Sequence, residues 1–147
     1  MTNKLSNLFF LMFVVLCAYG CGDGIKISGT VTYEEDGSPV ERGVINFSGE
    51  TGNFSGIIKN GNYVTGGKKA VQGIPAGQYK IWFSGVQKGE HIIDPKTGIP
   101  ESSIMTPLIA DEFCAETKTP ISFEVKPDGQ KTFDIQVKKY VPQKKKR

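Results

Sequence analysis

The strongest constraint in this chain is an apolar–polar alternation of period two, interrupted at short intervals by glycine- and proline-bearing turns. In Gln78 to Val86, Tyr79, Ile81 and Phe83 alternate with Lys80, Trp82 and Ser84. Successive side chains of a strand point to opposite faces, so this spacing gives one apolar face and one polar face. The same rhythm runs from Ile25 to Tyr33, from Gly43 to Ser48 with Ile45 and Phe47 inward, and from Pro120 to Lys126 with Ile121, Phe123 and Val125 inward. It ends at Phe133, Ile135 and Val137. Between these runs lie Asp36-Gly37, Gly73-Ile74-Pro75-Ala76-Gly77 and Lys126-Pro127-Asp128-Gly129. Asn60-Gly61, between Phe54–Lys59 and Asn62–Thr65, is a hairpin signal. No segment has the period of an amphipathic helix. The pattern predicts an all-β, antiparallel sandwich of about seven strands. Residues 87–118 lose the rhythm and carry Pro95, Gly98, Pro100 and Pro107. They are expected to form a long loop, with a short strand or helical turn somewhere in Met105 to Phe113.

The amino terminus is organised differently. Lys4 precedes an apolar run from Leu8 to Leu16, followed by Ala18-Tyr19-Gly20-Cys21-Gly22. That is the order of a secretory signal peptide. The apolar stretch between Asn7 and Cys21 falls short of the roughly 20 residues a membrane-spanning helix needs. With Gly20 before Cys21, the segment resembles a bacterial lipoprotein signal. The resemblance implies diacylglycerol on the Cys21 thiol, removal of residues 1–20 and acylation of the new amino terminus. Tyr19 is larger than usual there, and Ala18 stands where leucine is commonest. An ordinary signal peptide cut near Gly20, or an uncleaved anchor, are the alternatives. The expected organisation is a signal at 1–20, a lipidated tether at 21–24, a domain at 25–139 and a basic, disordered tail at 140–147.

A second resemblance covers the body. Ile27-Ser28-Gly29-Thr30-Val31, Gly37-Ser38-Pro39-Val40 and Val44-Ile45-Asn46-Phe47 are similar to the opening of carboxypeptidase regulatory-like domains. Asn60-Gly61-Asn62-Tyr63 and Gly73-Ile74-Pro75-Ala76-Gly77-Gln78-Tyr79 resemble that family's second signature. The resemblance is good over 25–85 and looser over 119–138. It implies a transthyretin-like (prealbumin-type), Ig-like sandwich. Its motifs are turn glycines, a proline and core aromatics, which specify a fold and not an activity.

Charge and cysteine usage narrow the function classes. The net charge is +3, and Lys138, Lys139, Lys144, Lys145, Lys146 and Arg147 crowd the last ten residues. The body is therefore mildly acidic. A nucleic-acid-binding domain would carry its basic face through the fold, so no nucleic-acid partner is expected. Cys114 is the one cysteine left outside the signal and Cys21, so no internal disulfide is expected. A half-buried structural role is expected for it. His91 is the only histidine, without the partners that a triad or a zinc site demands. Glu34-Glu35-Asp36 and Asp111-Glu112 are clustered acids; the first could hold calcium only weakly. Gly66-Gly67-Lys68-Lys69 lacks the spacing of a phosphate loop. The chain is thus expected to have no catalytic residues, no metal and no cofactor, and not to be an enzyme.

Trp82 is the residue that points to binding. It shares the polar face of its strand with Lys80 and Ser84, and an indole there can stack on a sugar or a peptide. The loop at 87–118 could equally fold over it. The sequence reading is of a lipid-anchored cell-envelope protein, held to a bacterial membrane through Cys21, with a structural or protein-interaction role. The alternative is a module for envelope glycans or peptides that contacts them through Trp82 and Lys80.

Overall fold

The computed structural model describes residues 24–65 and 73–142. The signal, Cys21, the Gly66–Lys69 stretch and the end of the basic tail lie outside the described residues. The described chain is all-β. Its strands are β1 (Ser28–Tyr33), β2 (Arg42–Gly49), β3 (Gly52–Lys59), β4 (Asn62–Thr65), β5 (Gly77–Ser84), β6 (Gln87–Ile93), β7 (Pro100–Pro107), β8 (Ser122–Val125) and β9 (Ile135–Val137).

Seven strands form one curled sheet in the order β8-β5-β2-β3-β4-β1-β9. Every neighbouring pair is antiparallel except β1 and β9, which run parallel with Val31 opposite Ile135 and Tyr33 opposite Val137. The sequence reading expected two facing sheets. Here the strands are joined in a single hydrogen-bonded sheet that curls over its own apolar face. The curl is drawn together beyond the strands. The Ala110 N–H donates to Lys138 O, the Tyr140 N–H to Leu108 O and the Leu108 N–H to Val86 O. Residues 108–110 are therefore a strap between the end of β9 and the chain just after β5. Tyr140, expected as the start of a free tail, is half-buried and held by this strap.

The alternation reads out in burial. Ile45 and Phe47 of β2, Ile58 of β3, Tyr63 of β4, and Tyr79, Ile81 and Phe83 of β5 all lie in the core. They meet Ile27, Val31, Ile109, Ile135 and Val137 from the other side of the curl. The Asn60-Gly61 turn adopts left-handed backbone at both residues (φ 49° and 78°), as a tight two-residue hairpin requires. Two tyrosines tie the core to the backbone. The Tyr79 hydroxyl donates to Pro75 O at 2.9 Å and accepts from the Thr51 hydroxyl at 2.5 Å. This pins the Ile74–Gly77 turn to the β2–β3 turn. The Tyr63 hydroxyl donates to Phe133 O at 2.6 Å. Gly29 lies against the same carbonyl, and a Cβ there would fall 2.0 Å from Phe133 O.

The stretch expected as a loop at 87–118 is different. Most of it is a hairpin, β6 and β7, forming a separate two-stranded ribbon. A short 3-10 turn follows at Asp111–Phe113. The hairpin escaped the sequence reading because no residue of β6 is buried, so no apolar alternation is written into it. Local turn chemistry forms it instead. Asp94 Oδ1 accepts from the Lys96 N–H at 2.8 Å and Oδ2 from the Thr97 hydroxyl at 2.9 Å. Gly98 takes the left-handed conformation at φ 68°. Asp94 and Ile99 close the turn through an N–H to carbonyl bond of 3.0 Å.

Phe83 is 1% exposed, and Phe83→Ala is expected to cost about 3–5 kcal/mol of unfolding free energy. Tyr79→Phe keeps the ring but leaves the Thr51 and Pro75 groups unpaired, and is expected to cost about 1–3 kcal/mol. Denaturant titration of each variant against the parent checks both.

Candidate functional site

The outer face of the curled sheet carries the residues that do not enter the core. Cross-strand register sets Trp82 beside Asn46, and Asn46 beside Ser55. The next row runs from Ser122 through Lys80 and Ser48 to Asn53. On the other side of Trp82, Ser84, Val44, Ile57 and Val64 form a third row. Lys80 is exposed, Trp82 is half-buried, and Ile57 and Val64 are 60% and 54% exposed. The Trp82 indole N–H donates to Ser48 Oγ at 3.0 Å, and Asn46 Nδ2 donates to Ser84 Oγ at 3.1 Å. These bonds fix the ring and use its one donor. What remains for a ligand is the π surface and the Asn46, Ser55 and Lys80 polar groups around it. Trp82 is neither fully open nor fully covered.

A second concavity lies under the ribbon and was not legible in the sequence, because the ribbon itself was not. It is an open cleft of about 970 Å³. Tyr33, Pro39 and Arg42 line the sheet side, His91 and Met105 the ribbon side, and Leu108 the strap. His91, Ser103, Gly89 and Met105 share the ribbon face that meets this cleft, since Gly89 pairs with Met105 and His91 with Ser103. Among the described residues Arg42 makes no salt bridge. The cleft therefore sets a guanidinium and an imidazole beside the Glu41 carboxylate and the side chains of Tyr33, Pro39, Met105 and Leu108.

His91 and Cys114 sit on different features. Cys114 follows the 3-10 turn and is exposed, not half-buried as expected. Its Sγ donates to Ala110 O at 3.7 Å. Partial burial first, and the charge of Asp111 second, push the thiol above its ordinary value, which disfavours the nucleophilic thiolate. Cys114 is not among the residues of the cleft that holds His91. Among the described residues no group of three or more His, Cys, Asp or Glu side chains is placed to hold a metal ion.

The acidic turn after β1 is a clasp. Asp36 Oδ1 accepts from the Ser38 N–H at 3.0 Å and from its hydroxyl at 2.6 Å. The Lys139 ammonium donates to Asp36 Oδ2, and the Lys139 N–H donates to Glu35 Oε1 at 2.9 Å. Lys139 also stands 5.0 Å from the centre of the Tyr33 ring. The hydrogen bond from Lys139, then those from Ser38, hold the Asp36 carboxyl well below the usual carboxylate range. The same bond pushes the Lys139 ammonium up. Both Asp36 oxygens and one Glu35 oxygen are thus engaged by Lys139 and Ser38.

No family model matches the chain, and no curated protein does. Among solved structures, a 9R-lipoxygenase from Cyanothece PCC8801 aligns over 90% of this chain at 11% identity, with a TM-score of 0.31. The chain spans 20% of that protein's length. A likeness this slight carries no argument about fold or activity.

Trp82 is the sole tryptophan, so its emission reports on the outer face alone. Ser48→Ala should remove the partner of the indole N–H and shift that emission without unfolding the protein. Unchanged emission would contradict the placement.

The clasp has a pH signature. A carboxyl held below its unfolded value contributes stability at neutral pH that is lost as pH falls through the acid range. The elevated Lys139 contributes stability lost only above its ordinary alkaline range. Asp36→Asn should therefore flatten the acid limb of the stability–pH curve, and salt should weaken the parent more than the variant. Stability measured from pH 2 to 7 at two salt concentrations checks this, the window following from the carboxylate range.

Proposed function

We propose that this chain is a lipid-anchored cell-envelope protein that works by binding other proteins and performs no chemistry of its own. In this reading residues 1–20 direct export, Cys21 takes the lipid, and the body is a transthyretin-like sandwich variant whose two halves are the arms of the curl. The membrane is then the first partner, through the acyl chains, and the β6–β7 ribbon meets the second.

The observation that carries the reading is the ribbon. Ile92, Ile93, Ile99, Ile104 and Met105 are 44–64% exposed, all on one hairpin standing off the sheet. A soluble surface normally scatters its large apolar residues, and their concentration on one short hairpin, on both of its faces, points to an interaction site. A membrane is a poorer occupant for this ribbon than a protein. The Asp94 carboxyl at its turn is held below the usual range by the Lys96 and Thr97 bonds, so it would enter lipid charged. A photo-reactive residue at Ile104 should give discrete protein adducts in native cells, while one at Ser122 on the opposite sheet edge should not. Equal or absent adducts would sink the reading.

The Trp82 face supports a second reading, a glycan contact. The fixed indole beside Asn46, Ser55 and Lys80 is the observation that favours it. Titrating envelope glycan fragments against Trp82 emission tests it, and Trp82→Phe should abolish any response.

Cys21→Ser is expected to leave the protein unlipidated and to release it from membranes or stall its processing. Mass spectrometry of the native protein should find acyl chains on Cys21, and a soluble product beginning at another residue would contradict the anchor.

A further inference from the structure

The faces of the ribbon mix polar and apolar side chains, and its two edges are unlike each other. In a two-stranded sheet each strand keeps one row of unpaired backbone N–H and C=O groups. The β7 edge is blunted: it begins at Pro100, ends at Pro107, and its register against β6 slips between Ile92 and Ile93. Proline cannot donate to a neighbouring strand, and a bulge turns the edge away. The β6 edge has neither device. Its seven residues, Gln87-Lys88-Gly89-Glu90-His91-Ile92-Ile93, contain no proline and are all exposed. The outermost strands of the main sheet, β8 and β9, have four and three residues, so β6 is the longest of these three edges.

We propose that β6 pairs antiparallel with β6 of a second copy of this chain, extending the ribbon to four strands in the order β7-β6-β6-β7. This rests on reading the ribbon as an interaction surface and names its occupant. The order of charges along β6 selects the copy and the register. A twofold axis at Gly89 puts Lys88 opposite Glu90 of the partner and Glu90 opposite the partner's Lys88. Within one chain those two already lie on one face, 3.2 Å apart. Across the axis the same charges would make two opposite-sign cross-strand pairs, the favourable arrangement for directly facing residues. A parallel pairing in register would set Lys88 against Lys88 and Glu90 against Glu90. Gly89 at the axis has no side chain to obstruct close approach. A C2 contact is isologous, so one self-complementary segment suffices for both sides. A two-stranded ribbon is marginal by itself, and four strands are not.

The test uses the full-length chain. With Cys17, Cys21 and Cys114 all changed to Ser, Gly89→Cys should form a disulfide-linked dimer under mild oxidation, because the axis sets residue 89 against itself. Thr106→Cys, on the blunted strand, should not. Sedimentation equilibrium should show a monomer–dimer equilibrium for the parent. Lys88→Glu should weaken it on the order of tenfold, since it turns two attractive pairs into repulsive ones. Lys88→Glu combined with Glu90→Lys should restore it, and circular dichroism should show each variant folded. A parent that stays monomeric at every concentration overturns the pairing, as does equal crosslinking at residues 89 and 106, or a charge swap that fails to rescue. If the parent is monomeric while Ile104 still gives adducts to other proteins in cells, self-pairing fails and the protein-binding reading stands. If both are absent, both fail.

Discussion

The parallel pairing of β1 with β9 is the contact on which the arrangement depends. All the other ladders of the main sheet join strands that a hairpin or a longer antiparallel return can bring together. This one joins the beginning of the domain to its end. Short polar bonds hold it in place. Asp134 Oδ1 accepts from both the N–H and the hydroxyl of Thr30, each at 2.8 Å, across 104 residues. The Glu34 N–H continues the ladder to Val137 O at 3.0 Å. Gly29 lets Phe133 come close, and Tyr63 then donates to the same carbonyl. Those contacts bring Phe133 over Phe123 at 4.3 Å, so the far edge of the sheet meets its near edge through stacked rings. The interior is consequently closed by aromatic contact and by the 108–110 strap, without a second sheet.

What could be read from residue order follows from where burial acts. Tyr79, Ile81 and Phe83 had to face inward because three large side chains at period two leave no alternative that hides them. Asn60-Gly61 had to turn because few residue pairs accept two consecutive left-handed conformations at low cost. The 87–107 hairpin carries no such signature, since solvent bathes both of its faces and its strands need not alternate. Its signal was Asp94 followed by Thr97 and Gly98, a capped turn hidden among prolines that argued for a loop. The cleft was illegible for the same reason. The curl, too, could not be read: alternation tells which side of a strand is apolar, and says nothing of whether that side faces another sheet or a bend of its own.

Trp82 shows how a residue's exposure can fall between two expectations. The ribbon was expected, as a loop, to cover it or to leave it bare. Instead the neighbouring strand does part of the work. Ser48, itself 5% exposed, takes the indole N–H and holds the ring down on the sheet. A tryptophan held in this way spends no donor on a ligand and loses little entropy on binding one. The same economy applies to the clasp at Lys139, where one ammonium serves Asp36 and the Tyr33 ring together.

The meeting of first strand and last has a temporal consequence. Loop-closure entropy must be overcome before non-local pairs reward it, so a sheet completed over more than a hundred intervening residues assembles slowly. A chain emerging amino terminus first from a ribosome presents β1 long before β9 exists. Until the segment around Asp134 to Lys139 arrives, β1 keeps an open edge and the core remains uncovered. The sheet is thereby completed only when its last strand has been made.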